Sequence, residues 1–230
     1  MTIYFISGLG ADERVFQFLD LPGIKKVFVK WITPQINEEL SSYAERLTAQ
    51  IDLTQEVILA GISFGGIVAQ EIAKIITCKK LMIISSVKSH KEFNWQLSFV
   101  ALTRIHKLFP VRFLKWSNSL TADYYFGTTS AKESKLLHQI IKDTDDVFMV
   151  WAINCIMTWK NANIAEDIIH IHGTSDKIFP IRPIKNCIKI TKGCIRILFV
   201  YYSGAIQWGK VLTNVSDKPS FLKCKIKYSS

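Results

Sequence analysis

The amino-acid sequence predicts an α/β fold: a mostly parallel sheet flanked by helices, with a helical insertion late in the sheet. Three observations carry this expectation. Short apolar runs alternate with stretches of helical spacing over residues 1–86, and the apolar runs return at 167. The segment Gly61-Ile62-Ser63-Phe64-Gly65-Gly66 is wedged between an apolar run, Val57-Ile58-Leu59-Ala60, and a helix-like stretch, Ile67 to Ile76. Between Val87 and Glu166 the strand pattern disappears, and aromatic and aliphatic residues recur at helical spacing instead.

Taken in order, Thr2 to Ser7 is a short apolar strand that runs into Ser7-Gly8-Leu9-Gly10. Lys26 to Trp31 is a second strand. Ile36 to Ile51 spaces Leu40, Tyr43, Leu47 and Ile51 as one face of a helix. Glu56 to Ala60 is the third strand, leading to Ser63. Lys80 to Ser85, with Leu81-Met82-Ile83-Ile84, is continuously apolar, as a central parallel strand covered on both faces must be. Asp167 to His172 is the next such run. Strands alternating with helices in this order join by right-handed crossovers into a parallel sheet. The insertion contains Trp95, Phe99, Leu102 and Ile105, and later Leu136, Leu137, Ile140 and Ile141. The expected organisation is a core of 1–86 and 167–200, a helical cap of 87–166 above the carboxyl edge of the sheet, and an atypical basic tail of 201–230.

Bulk properties narrow the function classes. The 230 residues suffice for one domain with a substantial core, and no apolar stretch is long enough to span a bilayer. The start, Met1-Thr2-Ile3-Tyr4-Phe5-Ile6, lacks a basic n-region and a small-residue cleavage site, so it reads as a strand rather than a signal peptide. Cys78, Cys155, Cys187, Cys194 and Cys224 are scattered, odd in number and without metal-ligand spacing. Reduced thiols in a cytoplasmic protein are therefore expected, with no metal and no organic cofactor. The net charge of +10 is concentrated at one end: nine Lys or Arg against a single acid, Asp217, from Lys185 to Ser230. Nucleic-acid binding would call for a basic face with interleaved aromatics on a recognisable module, which the chain lacks. A lysine-rich terminal segment is expected to be solvated. Its alternative, contact with nucleic acid or an anionic membrane, predicts salt-sensitive binding lost with residues 210–230.

The chemistry concentrates at Ser63. A G-x-S-x-G between a strand and a helix forces the apex residue into a strained turn, with glycines on both sides because strand and helix crowd it. The hydroxyl then projects above the sheet, and the first helix amides point at whatever binds there. A serine nucleophile also needs a base, a group that orients the base, and donors for the developing oxyanion. The donors expected are the amides of Phe64 and Leu9, with Gly8, Gly61 and Gly65 permitting close backbone approach. Ser63 as a simple cap of the following helix is the alternative. Ile169-His170-Ile171-His172-Gly173-Thr174-Ser175-Asp176 ends a buried strand and enters a loop closed by Pro180, which puts Asp176 on the same sheet edge as Ser63. Asp143, Asp145 and Asp146 fall in the insertion and read as a solvated face or a cap.

The loop Ile6-Ser7-Gly8-Leu9-Gly10-Ala11-Asp12, the turn GISFGG and the segment HIHGTSDKIFP together resemble the α/β-hydrolase family in its compact, capped, esterase-like form. The similarity covers about Thr2 to Thr191, with the motifs in the family's order. It implies an α/β-hydrolase fold, Ser63 as nucleophile, Asp176 as the acid, Gly173 as a motif glycine, and a histidine after the last strand. It also implies a small-molecule ester-like substrate, with the aromatic cap suggesting an apolar acyl or alkyl group. The position of Ser7 is often His in the family.

The family's histidine is missing. The five histidines are His90, His106, His138, His170 and His172, and none follows His172. His170 and His172 lie on the strand before Asp176 as structural residues, and the other three lie in or beside the insertion. Lys192-Gly193-Cys194-Ile195 stands where the histidine belongs, followed by a polar tail with little periodicity. A shifted reading frame at or just before Cys194 accounts for both, because TGC followed by any isoleucine codon contains CAT, a histidine codon. Two functions follow: a serine hydrolase impaired by the absent base, or a catalytically silent protein or frameshifted product.

Overall fold

The computed structural model describes residues 2–190 except 17–20, 22, 129, 162, 163 and 166, and leaves the side chains of 106, 107, 111, 112 and 114–118 aside. Cys194 and the tail expected over 201–230 lie outside the described residues.

Among the described residues six strands form one sheet: β1 (Thr2–Ile6), β2 (Lys25–Val29), β3 (Val57–Ile62), β4 (Lys80–Ile84), β5 (Ile168–Gly173) and β6 (Ile188–Ile190). Their order is β2-β1-β3-β4-β5-β6, and every pairing is parallel. All residues of β1 and β3 are buried, which explains why these strands read as unbroken apolar runs rather than alternations. At the edge, β2 buries only Val29.

The chain passes outward from β1 to β2, then returns to β3 on the other side of β1 and continues outward to β6. Right-handed crossovers in opposite directions put the connections on opposite faces, so the loops after β1 and β3 diverge and leave a crevice at their carboxyl ends. On one face Tyr4, Ile6, Leu59 and Ile83 pack against α1 (Leu40–Leu47), α2 (Phe64–Ala73) and α6 (Asp146–Thr158). On the other, Ile3, Phe5, Ile58 and Met82 pack against Val15 and Phe16 of a 3-10 turn and against Ile140 of α5 (Ala131–Asp143).

The helix α1 is shorter than the 36–51 periodicity predicts, giving way to a 3-10 turn over Thr48–Gln50. Asn37 has φ 56°, a left-handed conformation that no helix continues through, and Ile36 is almost fully exposed. The helix α2 starts at Phe64, earlier than its apolar spacing indicates, because Gly65 and Gly66 have no side chains to reveal a period.

Between β4 and β5 lie α3 (Trp95–Thr103), α4 (Val111–Phe126), α5 and α6. Aromatic packing fastens α6 to the sheet edge. Phe148 lies 5.0 Å from Trp31 and 6.4 Å from Phe64, and Trp151 lies 4.2 Å from Tyr43, centroid to centroid. Polar contacts then return the chain to α2: Trp159 Nε1 donates to Glu71, and Asn161 Nδ2 donates to Gln70 Oε1 and to the backbone oxygen of Lys88, while Asn161 Oδ1 has no partner among the described residues.

The turn between β3 and α2 leaves no room for side chains. A Cβ on Gly65 would overlap the backbone oxygens of Ser7 and Ile6, and one on Gly61 would overlap the backbone of Gly65. Gly65→Ala is expected to lower stability by at least about 2–3 kcal/mol. The check is the midpoint of urea unfolding, which should fall with unchanged slope.

Candidate active site

Ser63 sits at the apex between β3 and α2 with φ 52° and ψ −119°. This region is almost closed to residues with a Cβ, and holding one there costs about 1–3 kcal/mol. Three hydrogen bonds fix it. Ser63 N donates to Ile84 O at 2.9 Å, Gly66 N donates to Ser63 O at 2.9 Å, and Ser86 Oγ donates to Ser63 O at 2.7 Å. The Ser63 hydroxyl makes no capping bond to α2, so the capping alternative fails. It is left at the positive end of the helix, where first-turn amides have no intrahelical acceptor.

Gly8 comes alongside. Its missing Cβ would stand 3.4 Å from Ser63 Cβ and 3.9 Å from Ser63 Oγ. The loop that carries Gly8 and Leu9 is pinned at Ala11: Ala11 N donates to Gly8 O, and Ala11 O accepts from Ser7 Oγ at 2.7 Å and from Trp31 Nε1 at 3.1 Å. Ser7, the departure from the family's frequent histidine, therefore holds the loop's shape. The structure brings Ser63, Phe64, Gly8, Leu9, Gly61 and Gly65 together at the crevice.

Asp176 lies on the same carboxyl edge, after β5, with β4 between it and β3. The strand's last residue, Gly173, pairs with Ile190 of β6, and the loop turns on Asp176 N donating to Gly173 O. The carboxyl is buried. Its Oδ1 accepts from the amides of Ile178 and Phe179, each at 2.9 Å, while Oδ2 has no partner among the described residues. Burial pushes its pKa up to about 6, against the opposing pull of the Phe179 and Ile178 amides and of the Ser85 hydroxyl, which lies near the carboxyl without meeting hydrogen-bond geometry. A carboxyl that orients a base accepts from a ring N–H donor.

The described histidines do not supply one. His172 Nε2 is 2.7 Å from Phe179 O, and a carbonyl only accepts, so the proton sits on Nε2. His172 Nδ1 then accepts from His170 Nε2 at 3.1 Å, which leaves His170 Nδ1 bare and unpartnered among the described residues. Burial depresses both rings, His170 down to about 3 with the help of its neighbour. Both are neutral struts of the Asp176 loop, as their place on the strand predicts. His172 Nε2 is 3.8 Å from Asp176 Oδ2, too far for a hydrogen bond. His90 opens a 3-10 turn, and the His106 side chain lies outside the description.

His138 has a role that sequence spacing did not reveal. Its Nδ1 meets Ser119 Oγ at 2.9 Å and its Nε2 meets Asp123 Oδ2 at 3.0 Å, while Asp123 also accepts from Thr128 and Ser134. Ser119 is in the interior of α4, where backbone amides are consumed by the helix, so no oxyanion donors accompany it. This group clamps α4 to α5. Asp145 caps α6 by accepting from Phe148 N, and Asp143 pairs with Arg14, as expected of a cap and a solvated face.

A cleft of about 190 Å³ opens beside the crevice. Gly10, Ala11 and Asp12 form one wall, Trp31 to Thr33 another, and Ile140, Asp143 to Asp145 and Phe148 the third. Its lining mixes apolar and acidic side chains, with Arg14 bridging Asp12 and Asp143.

A parallel six-stranded sheet with a strained serine turn at its switch point, an acid loop two strands along and helices inserted between β4 and β5 is the α/β-hydrolase fold. Solved structures agree. The chain is similar to a lipase-esterase related protein from Clostridium acetobutylicum (TM-score 0.64, 14% identity, 93% of each chain covered). It is similar to a hydrolase from Oleispira antarctica (TM-score 0.67, 13% identity, covering 94% of this chain and 91% of that one). An epoxide hydrolase from Bacillus megaterium superposes with a TM-score of 0.68 at 9% identity, covering 93% and 92%. No protein-family model and no curated protein matches the chain.

The Asp176 carboxyl holds its proton more tightly in the folded protein than in the unfolded chain. Its contribution to stability is therefore full below the unfolded carboxyl range, near pH 4, and is lost as pH rises through about 6. Asp176→Asn keeps the Oδ1 acceptor and removes the ionisation. We expect it to flatten the fall in stability between pH 4 and 6, and to be more stable than the parent above pH 7 by up to about 3 kcal/mol. Urea unfolding across pH checks this; a parallel pH dependence in both proteins contradicts it.

Proposed function

We propose that the protein is a serine hydrolase acting on an ester-like acyl substrate. The observation that carries this reading is the Ser63 turn: a strained serine whose hydroxyl is withheld from helix capping and lies against Gly8. In this reading Ser63 Oγ attacks the acyl carbonyl. The amides of Phe64 and Leu9 stabilise the oxyanion, and Asp176 is the acid that would orient a base. Residues 87–166 act as the cap, and the cleft lined by Trp31, Ile32, Ile140 and Phe148 takes an acyl or alkyl group.

The base is the weak point of the machinery. A triad enzyme without one member keeps about 10³–10⁴-fold acceleration over water, through its oxyanion hole and binding. Turnover of that reduced order is what the chain's own residues support. A second reading, a catalytically silent protein or a frameshifted product, is favoured by the bare Asp176 Oδ2 and by the absence of any histidine beyond His172.

A fluorophosphonate probe separates the two. Slow labelling that disappears in Ser63→Ala is expected, with Asp176→Asn labelling at close to the parental rate because no base is there to orient. Absence of labelling in the parent supports the silent reading. For the frame, a TGC codon at Cys194 with a plausible helix in the alternative frame is expected, and a TGT codon overturns it.

A further inference from the structure

The helix α3 is apolar along most of its length, yet none of its nine residues is buried. Trp95, Phe99 and Leu102 recur at the spacing of one helix face and are 78%, 55% and 84% exposed. The following turn adds Leu108, 79% exposed, and Phe109; Leu120 of α4 is 69% exposed. Scattered exposed leucines are ordinary, but a row on consecutive elements marks a surface built to be covered.

Charge indicates what covers it. From Phe93 to Ala122 the sequence carries Arg104, Lys107, Arg112 and Lys115 and not one Asp or Glu. A second copy would bring the same basic stretch and a net charge of +10. The chain's own terminal stretch from Lys185, with nine basic residues against one acid, is repelled in the same way. The occupant is therefore anionic. It must also accept aliphatic side chains, which phosphate backbones and stacked bases do not reward, whereas a lipid interface rewards basic and apolar groups side by side. Among the described residues no helix is long and apolar enough to cross a membrane, so the contact is peripheral.

We propose that α3, the turn after it and the outer side of α4 form a docking surface for anionic lipid membranes. Trp95, Leu102 and Leu108 enter the headgroup boundary, and the exposed Arg104 meets lipid phosphates. This surface stands independently of the Ser63 chemistry, but would bring the crevice close to a lipid phase.

The test uses the full-length protein with vesicles of phosphatidylcholine alone or mixed with phosphatidylglycerol, read by co-sedimentation. Binding to the mixed vesicles, weakened by added salt, is expected. Arg104→Glu with Lys107→Glu should weaken it at least tenfold, since each basic residue near an anionic surface contributes roughly fivefold. Trp95→Ser with Leu102→Ser should also reduce it about tenfold, with unchanged circular dichroism and melting. Ser63→Ala should bind as the parent does, which keeps this result separate from that of the labelling experiment. Three outcomes overturn the proposal: no vesicle binding; binding lost with Lys223, Lys225 and Lys227→Gln but kept in both α3 variants; or a dimer that the Trp95→Ser, Leu102→Ser pair dissociates. Salt-sensitive binding to duplex DNA without vesicle binding overturns it as well.

Discussion

Three pieces of backbone meet at Ser63 with nothing between them. The end of β1, the end of β3 and the first turn of α2 approach so closely that Gly65 lies on the oxygens of Ser7 and Ile6, Gly61 on the backbone of Gly65, and Gly66 on the Ser86 hydroxyl. In that space the chain turns from strand to helix at one residue, and Ser63 takes up the whole reversal at φ 52°. Much of the molecule is arranged by this contact. It aims α2 along the sheet and sets Phe64 at the helix start, facing Trp31, Phe148 and Trp151. Through that aromatic cluster it fixes where α6 docks, and so where the inserted helices stand relative to the serine.

The β1 loop depends on the same contact from the other side. With Ile6 and Ser7 pressed against Gly65, the chain after β1 must leave over the crevice, and the bonds converging on Ala11 O close it there. In the proposed reaction, backbone amides of this loop and of the helix start would serve the Ser63 hydroxyl. That geometry suits a reaction in which negative charge develops on an oxygen, because preorganised N–H dipoles need no reorientation as the charge appears.

Features whose physics is local were legible in the sequence. The central strands are covered on both faces and read as apolar runs, and the serine turn is legible because only glycine tolerates its crowding. The loop of Asp176 followed from the strand before it. What stayed hidden depends on how separate elements are phased in space. No spacing rule places Ser86 on the carbonyl of Ser63, or Ser119, Asp123 and His138 on facing sides of α4 and α5. The start of α1 differs from the spacing for a related reason: the apolar period from Ile36 is genuine, but the left-handed Asn37 has a backbone state that side-chain spacing does not encode. The exposure of α3 was also invisible, since an apolar helix with a partner and one without have the same sequence.

The Asp176 edge shows why the histidines already present do not restore a base. His172 stands nearest, but its one proton is assigned by the carbonyl of Phe179, and the amide of Phe179 in turn holds Asp176 Oδ1. Rotating His172 toward Asp176 would break the bond that shapes the carboxyl's own loop, and would leave His170 Nε2 without its acceptor. Protonating either ring to strengthen its reach is opposed by burial, which has already driven both well below the ordinary histidine range. The two rings and the acid loop are therefore one hydrogen-bonded unit in which His170 Nδ1 and Asp176 Oδ2 have no partner among the described residues. Any group that completes it must come from outside β5 and carry its own proton. Ser63 and Asp176 each hold a local conformation or burial that disfavours the folded state, on one edge of one sheet, and that shared cost is what supports the proposed role of this edge.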